Sequence, residues 1–220
     1  MRSLRSPQTL VVLAGYGVGA AALRAGLPDF IPPSWTGAGG RTIWFGPVMV
    51  AFLLPTAVAL TDALLRSLCI KHPVDQPRSA DVLPIYDAIM LRVVLFVMGV
   101  HATILLGLLG LLSGVGWAAQ IVPVMLGLAM ISIGNLLPRT RPNLAVGIRT
   151  RATLANRALW MRTHRSAGYL LVTLGFVIVL SAIAGPSPIG HKMILVVGPA
   201  GLFGTCFLVW YSRKHLDGSR

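Results

Sequence analysis

The sequence predicts an all-α, polytopic membrane bundle, and three observations carry that prediction. The 220 residues are 55% hydrophobic and have a mean hydropathy of +0.77. Charged residues make up 11% of the chain, against about 25% in a soluble domain. The apolar residues fall into long runs separated by short polar stretches, each run about the 20 residues that a helix needs to cross a bilayer. We read one membrane domain over 1–220, with about six spans and one interfacial amphipathic helix.

The first span is placed at about 8–26. It begins after a basic start and is read as a retained span. Gly15 and Gly19 share one of its faces and allow close helix approach. Prolines and glycines then forbid a regular helix over 27–41, an outer loop with Pro28, Ile31, Pro32 and Trp35. Two readings stay open there: a turn with aromatic anchors, or a recognition surface. The second span is about 42–68, kinked by Pro47 and Pro55, with Asp62 and Arg66 spaced to pair at i, i+4. The third, about 85–112, carries Arg92 and His101. An ionisable group at membrane depth is a candidate functional site, or His101 is a neutral side chain bonded to a carbonyl or to Thr103. A minimal turn leads to the fourth span, about 117–137. The fifth is about 167–184 and the sixth about 191–211. Cys69 and Cys206 are isolated thiols and are read as structural.

Between spans four and five lies a basic loop, 138–166. Seven arginines fall in or beside it and no acid does: Arg139, Arg141, Arg149, Arg151, Arg157, Arg162 and Arg165. Placing both termini and this loop in the cytoplasm puts sixteen of the nineteen Lys and Arg on the inner side, a strong positive-inside bias. Pro138 and Pro142 are expected to keep the loop's first part extended, and Gly147 to turn it. Thr153 is expected to cap an amphipathic helix through Asn156, Trp160 and His164, with Leu154, Ala158 and Met161 as its apolar stripe. Orientation and lipid contact account for the arginines; a docking surface for a partner or anionic ligand is the alternative. Asn135, Asn143, Thr150, Thr153, Asn156 and Thr163 add more hydrogen-bonding groups than orientation requires. The net charge of +13 lies in short loops between spans, so nucleic acid is not an expected partner.

The loop has the pattern GN-x-x-P-x-x-x-PN-x-x-x-GIRT-x-x-TL-x-N-x-x-x-W-x-x-THR-x-x-G. It is carried by Gly134, Asn135, Pro138, Pro142, Asn143, Gly147, Ile148, Arg149, Thr150, Thr153, Leu154, Asn156, Trp160, Thr163, His164, Arg165 and Gly168. This pattern resembles the signature of the SdpI family of bacterial integral-membrane proteins. Leu27, Pro28, Ile31, Pro32, Trp35 and Gly37 are similar to a second family element, a loop after the first span. Ser34 stands where that element usually has His, and Arg151-Ala152 where relatives often have Pro-Trp. The resemblance implies immunity to a membrane-active peptide toxin outside the bacterial inner membrane. It also implies membrane signalling by holding a repressor-like protein inside. A small transporter or lipid-binding protein is the alternative reading, and membrane lipids are partners in either case. The chain has no Glu, and HExxH, GxSxG and P-loop motifs are missing, so neither enzyme chemistry nor a cofactor or metal is expected.

Overall fold

The computed structural model describes residues 6–31, 43–44, 46–70, 79–112, 117–143, 146–184, and 201, 204, 207, 210 and 214. Pro32 and Trp35 of the outer loop, the turn at 113–116 and most of the sixth span lie outside them. In chain order the elements are α1 (Pro7–Arg24), β1 (Phe30–Ile31), β2 (Ile43–Trp44), α2 (Pro47–Ile70), α3 (Ser79–Leu108), α4 (Trp117–Gly134), a 3-10 turn (Leu137–Arg139), α5 (Arg151–Ala155) and α6 (Arg157–Ile183). Gly201, Gly204, Phe207, Trp210 and Lys214 are also helical.

Four helices among the described residues are long and apolar enough to cross a membrane: Pro47–Ser67, Leu83–Leu108, Gln120–Arg139 and Arg157–Ile183. Large apolar side chains on them, such as Leu64, Leu128 and Ile183, point outward, as a lipid-facing surface requires. The protein is a multi-pass helical membrane protein. α1 has the length to join the four, but its tyrosine, glycines and terminal polar residues dilute its hydropathy.

Several expected boundaries move, each for a local reason. The second span starts at Pro47 rather than 42, because β2 pairs antiparallel with β1 (Phe30 with Trp44, Ile31 with Ile43) and Pro47 opens the helix. The third begins at Ser79, well before 85, and carries Pro84 inside it. It ends at Leu108, and Gly110 takes a left-handed φ of +70° just beyond. The largest change is at the fifth span. The expected interfacial helix and the span are one helix, α6, running unbroken from Arg157 to Ile183.

The residues divide into two compact units. In the first, Met1–Asp62 with Val94–Ala118, Ser6 caps α1 and the small faces of α1 meet other helices. A β carbon on Gly19 would strike the Ala51 carbonyl of α2, and one on Gly15 the Met98 sulfur of α3. The Tyr16 hydroxyl reaches Thr56 at 2.8 Å. Ala22, Leu27, Ala51 and Leu105 form the buried cluster beside this crossing.

In the second unit, Ala63–Val93 with Ala119–Arg220, α4 and α6 run antiparallel and touch backbone to backbone. A β carbon on Gly127 would stand 2.6 Å from the Gly175 carbonyl, and one on Gly175 2.6 Å from that of Gly127. One turn-pair further on, Gly134 and Gly168 meet in the same reciprocal way, at 2.9 and 2.7 Å. The glycines are seven apart on each helix, so both pairs lie on one seam. Gly175→Ala is expected to destabilise the protein by about 1–3 kcal/mol. Gly17→Ala, with nothing within 4 Å of the added carbon, should stay within about 1 kcal/mol. Thermal unfolding of the detergent-solubilised protein checks both.

Candidate functional site

The glycine seam brings the end of α4 against the start of α6, and the basic loop is built on that junction. α4 passes into the 3-10 turn at Leu137–Arg139. Pro138 therefore sits in a helical turn, not in the extended chain expected for it, because proline is tolerated in a first turn. Its ring lies 3.2 Å from the position of a β carbon on Gly168. The chain becomes extended from Thr140.

Trp160 is fully buried behind this turn. Its indole N–H donates to both the carbonyl and the hydroxyl of Thr140, each at 3.1 Å. The Thr140 hydroxyl in turn donates to Leu137 O at 2.7 Å. A buried indole needs a partner for its N–H, and Thr140 supplies it. Asn143 folds the next segment: its amide donates to Arg141 O at 2.7 Å, and its side-chain oxygen accepts from Val146 N at 2.8 Å.

Gly147 then turns the chain with φ +112°. Its α carbon lies so close to the His164 ring that a β carbon would collide with Nε2. His164 is fully buried and stacked on Trp160, with ring centroids 3.9 Å apart and planes at 16°. The geometry assigns its tautomer. Nδ1–H donates to Trp160 O at 2.9 Å, and Nε2 accepts from Ile148 N at 3.0 Å. Both ring nitrogens are thus committed to a neutral imidazole that ties loop to helix.

Two caps follow, and neither is the one expected. Thr150, not Thr153, is the N-cap of α5; it accepts from Thr153 N at 3.1 Å. Thr153 closes the box from the third position. It accepts from Thr150 N at 2.9 Å and donates to Ile148 O at 2.8 Å. A threonine here does the work that a capping box usually gives to Glu or Gln. Asn156 ends α5 and caps α6 by accepting from Leu159 N at 3.0 Å. This break resets the helical phase. The buried face is Leu159, Trp160, Thr163 and His164, whereas Ala158 and Met161 of the expected apolar stripe are exposed.

All seven arginines of the loop are exposed. Arg139, Arg141 and Arg157 surround a hollow of about 110 Å³ with Pro138, Pro142 and Met161. Arg165 donates to the Tyr169 hydroxyl at 3.3 Å and lies over its ring. Asn135 is exposed at the end of α4, and Arg149 on the loop. Asn143, Thr153, Trp160, Thr163 and His164 face inward.

Several polar residues in the spans have partners of their own, while His101 Nε2 has none among the described residues. Arg92 donates from Nε to Ser132 at 2.9 Å and from a terminal nitrogen to Ala88 O at 2.6 Å. Arg66 forms an ion pair with Asp87 of α3 at 2.7 Å. Asp62 is half-buried. His101 is buried and bonded to the backbone of Ala51, while Thr103 donates to Gly99 O. Pro28 is exposed, and Ile31 lies in β1. Among the described residues no three His, Cys, Asp or Glu gather as a metal site would require.

The SdpI/YfhL protein family model matches residues 139–211, which include most of this loop and all the residues of its capping network. In this region the chain is similar to the SdpI family. It is 27% identical over 201 residues to the immunity protein SdpI of Bacillus subtilis (strain 168), an alignment covering 88% of each chain. No solved structure matches it. The family signature and the hydrogen-bonded loop are therefore the same stretch of chain. Thr140 and the seam glycines Gly127 and Gly175 belong to this construction but were not expected from the sequence. The signal for Thr140 was a buried tryptophan in need of an acceptor; for the glycines it was their heptad spacing.

Two threonines separate structural roles sharply. Thr153→Val removes the bonds that a fully buried hydroxyl makes with Thr150 and Ile148 and should lower stability by about 1–3 kcal/mol. The hydroxyl of Thr163 is equally buried but has no hydrogen-bond partner among the described residues. Thr163→Val should be neutral or stabilising by up to about 1 kcal/mol. Unfolding midpoints of the two variants measure the contrast.

Proposed function

We propose that this protein confers immunity to a membrane-active peptide toxin in a bacterial cytoplasmic membrane, with both termini inside. The similarity to the immunity protein SdpI over 88% of each chain carries that reading. The toxin is met from the outer side, where the aromatic-rich loop 27–41 lies in the proposed topology.

The inner loop serves a second task. Its neutral polar groups are used in holding its own shape, and its arginines are left facing outward. A rigid basic surface of this kind supports docking of an acidic cytoplasmic protein, as a signalling SdpI-like protein would require. Arg139, Arg141 and Arg157, around their shared hollow, are the proposed contact. Guanidinium groups suit this role because each offers a planar fork of donors to a carboxylate.

Expression in a Bacillus subtilis strain lacking its own SdpI, challenged with the toxin which that protein resists, tests immunity. Survival should rise at least about tenfold over empty vector. Equal survival with the protein present in the membrane overturns the reading. Orientation has its own check. With Cys69 and Cys206 replaced by Ala, Ser166→Cys should resist an impermeant thiol reagent on intact cells and label after permeabilisation. Labelling on intact cells would reverse the topology and remove the basic face from the cytoplasm.

A further inference from the structure

Beyond the loop itself, α6 and the C-terminal helix form an open groove of about 570 Å³. Arg162, Arg165, Ser166, Tyr169 and Leu170 of α6 line it, with Gly204 and Phe207 opposite. The helices are antiparallel: Gly201 faces Leu174, and Gly204 faces Leu170. Lys214 and Trp210 therefore fall toward the same end as the two arginines. Lys214 lies 5.1 Å over the Trp210 ring, and Trp210 is 5.8 Å from Phe207. The groove thus runs from a cationic end beside Trp210, past Phe207, to Leu170 and Gly204. That is the order of a lipid molecule from phosphate through glycerol to acyl chain.

The negative charge that matches these cations must come from outside this part of the chain. From Ala88 through Leu216 the sequence contains no Asp or Glu. Arg165 is steadied by Tyr169, whose hydroxyl accepts from it and whose ring lies beneath it, so one guanidinium is already oriented before a ligand arrives. A free phosphate would use the arginines and leave Phe207, which is largely exposed, and Leu170 without a purpose. An apolar peptide would use the wall and leave the guanidinium groups unmatched. We propose that the groove is a specific site for one anionic phospholipid, with its phosphate between Arg162 and Arg165 and an acyl chain along Leu170 and Phe207. The bound lipid fills the seam between α6 and the C-terminal helix at the point where the basic loop joins the membrane. This inference stands whether or not the protein gives toxin immunity.

Native mass spectrometry of the full chain in zwitterionic detergent tests it, with phosphatidylglycerol and phosphatidylcholine of identical chains as probes. Phosphatidylglycerol should be retained roughly ten- to thirtyfold more strongly, the worth of two arginines near an anionic headgroup. Arg162→Gln/Arg165→Gln should abolish the preference, Arg162→Lys/Arg165→Lys should keep most of it, and Arg139→Gln/Arg141→Gln should leave it intact. Inorganic phosphate and dihexanoyl phosphatidylglycerol should compete poorly. A second reading uses the unaltered protein: chain-brominated phosphatidylglycerol should quench the fluorescence lost in Trp210→Phe, and brominated phosphatidylcholine should not. Equal retention of the two lipids, equal loss in the Arg139/Arg141 pair, or full displacement by inorganic phosphate would each overturn the proposal. The first would mean no selectivity, the second a diffuse basic surface, and the third a free-anion site.

Discussion

Two helix backbones in contact set everything else in the second unit. Apolar side chains gain nothing by leaving lipid for one another, so close van der Waals packing must hold α4 against α6. Gly127 with Gly175 and Gly134 with Gly168 allow that contact, because the space a side chain would fill is occupied by the opposite carbonyl. The seam leaves the last turn of α4 and the first turns of α6 side by side. A loop that leaves one and enters the other then has both its ends fixed. Thr140 can reach Trp160, and Ile148 can reach His164, only because those ends are already adjacent.

The loop divides its residues by chemistry. Hydroxyls, amides and the imidazole turn inward and satisfy backbone groups that no regular ladder reaches. This follows from the cost of burying a peptide group without a partner. Guanidinium groups turn outward, where water or lipid phosphate can solvate them. The polar residues that looked like surplus binding groups in the sequence are thereby largely accounted for as architecture. The arginines are exposed, and the functional proposals rest on that exposed charge. Trp160 and His164 are the clearest case: stacked, buried and bonded at every nitrogen, they present no polar atom to a ligand.

The fold class was legible because hydropathy in long runs admits few alternatives, and the signature because its residues are so specific. Gly147 was legible as a turn, since a left-handed φ and a neighbouring ring both exclude a side chain. Helix boundaries were less so. Asn156 can end one helix and start another, and the sequence around it reads as one amphipathic stretch; the stripe through Leu154, Ala158 and Met161 assumed a phase which that break destroys. Arg66 shows a second limit. Spacing along its own helix does not reveal that Asp87, 21 residues away, makes an ion pair with it. Local spacing carries no information about which distant helix lies alongside.

The departure from the commoner family pattern at Arg151 and Ala152 fits the same geometry. Arg151 is the first residue of α5, a position where proline is favoured for its fixed φ but where any residue with a helical φ serves. Its side chain is exposed, so an arginine adds one more cation to the outer face without disturbing the cap. Ala152 is different, having no exposed surface at all. A tryptophan in its place would need space that this packing does not contain, so a chain with the bulkier residue must arrange the wall beside α5 differently. The cap itself, made by Thr150 and Thr153 on either side of these two positions, requires neither proline nor tryptophan. The pair can therefore vary while Thr150 and Thr153 still close the cap, and Arg151 changes only the charge of the exposed face beside it.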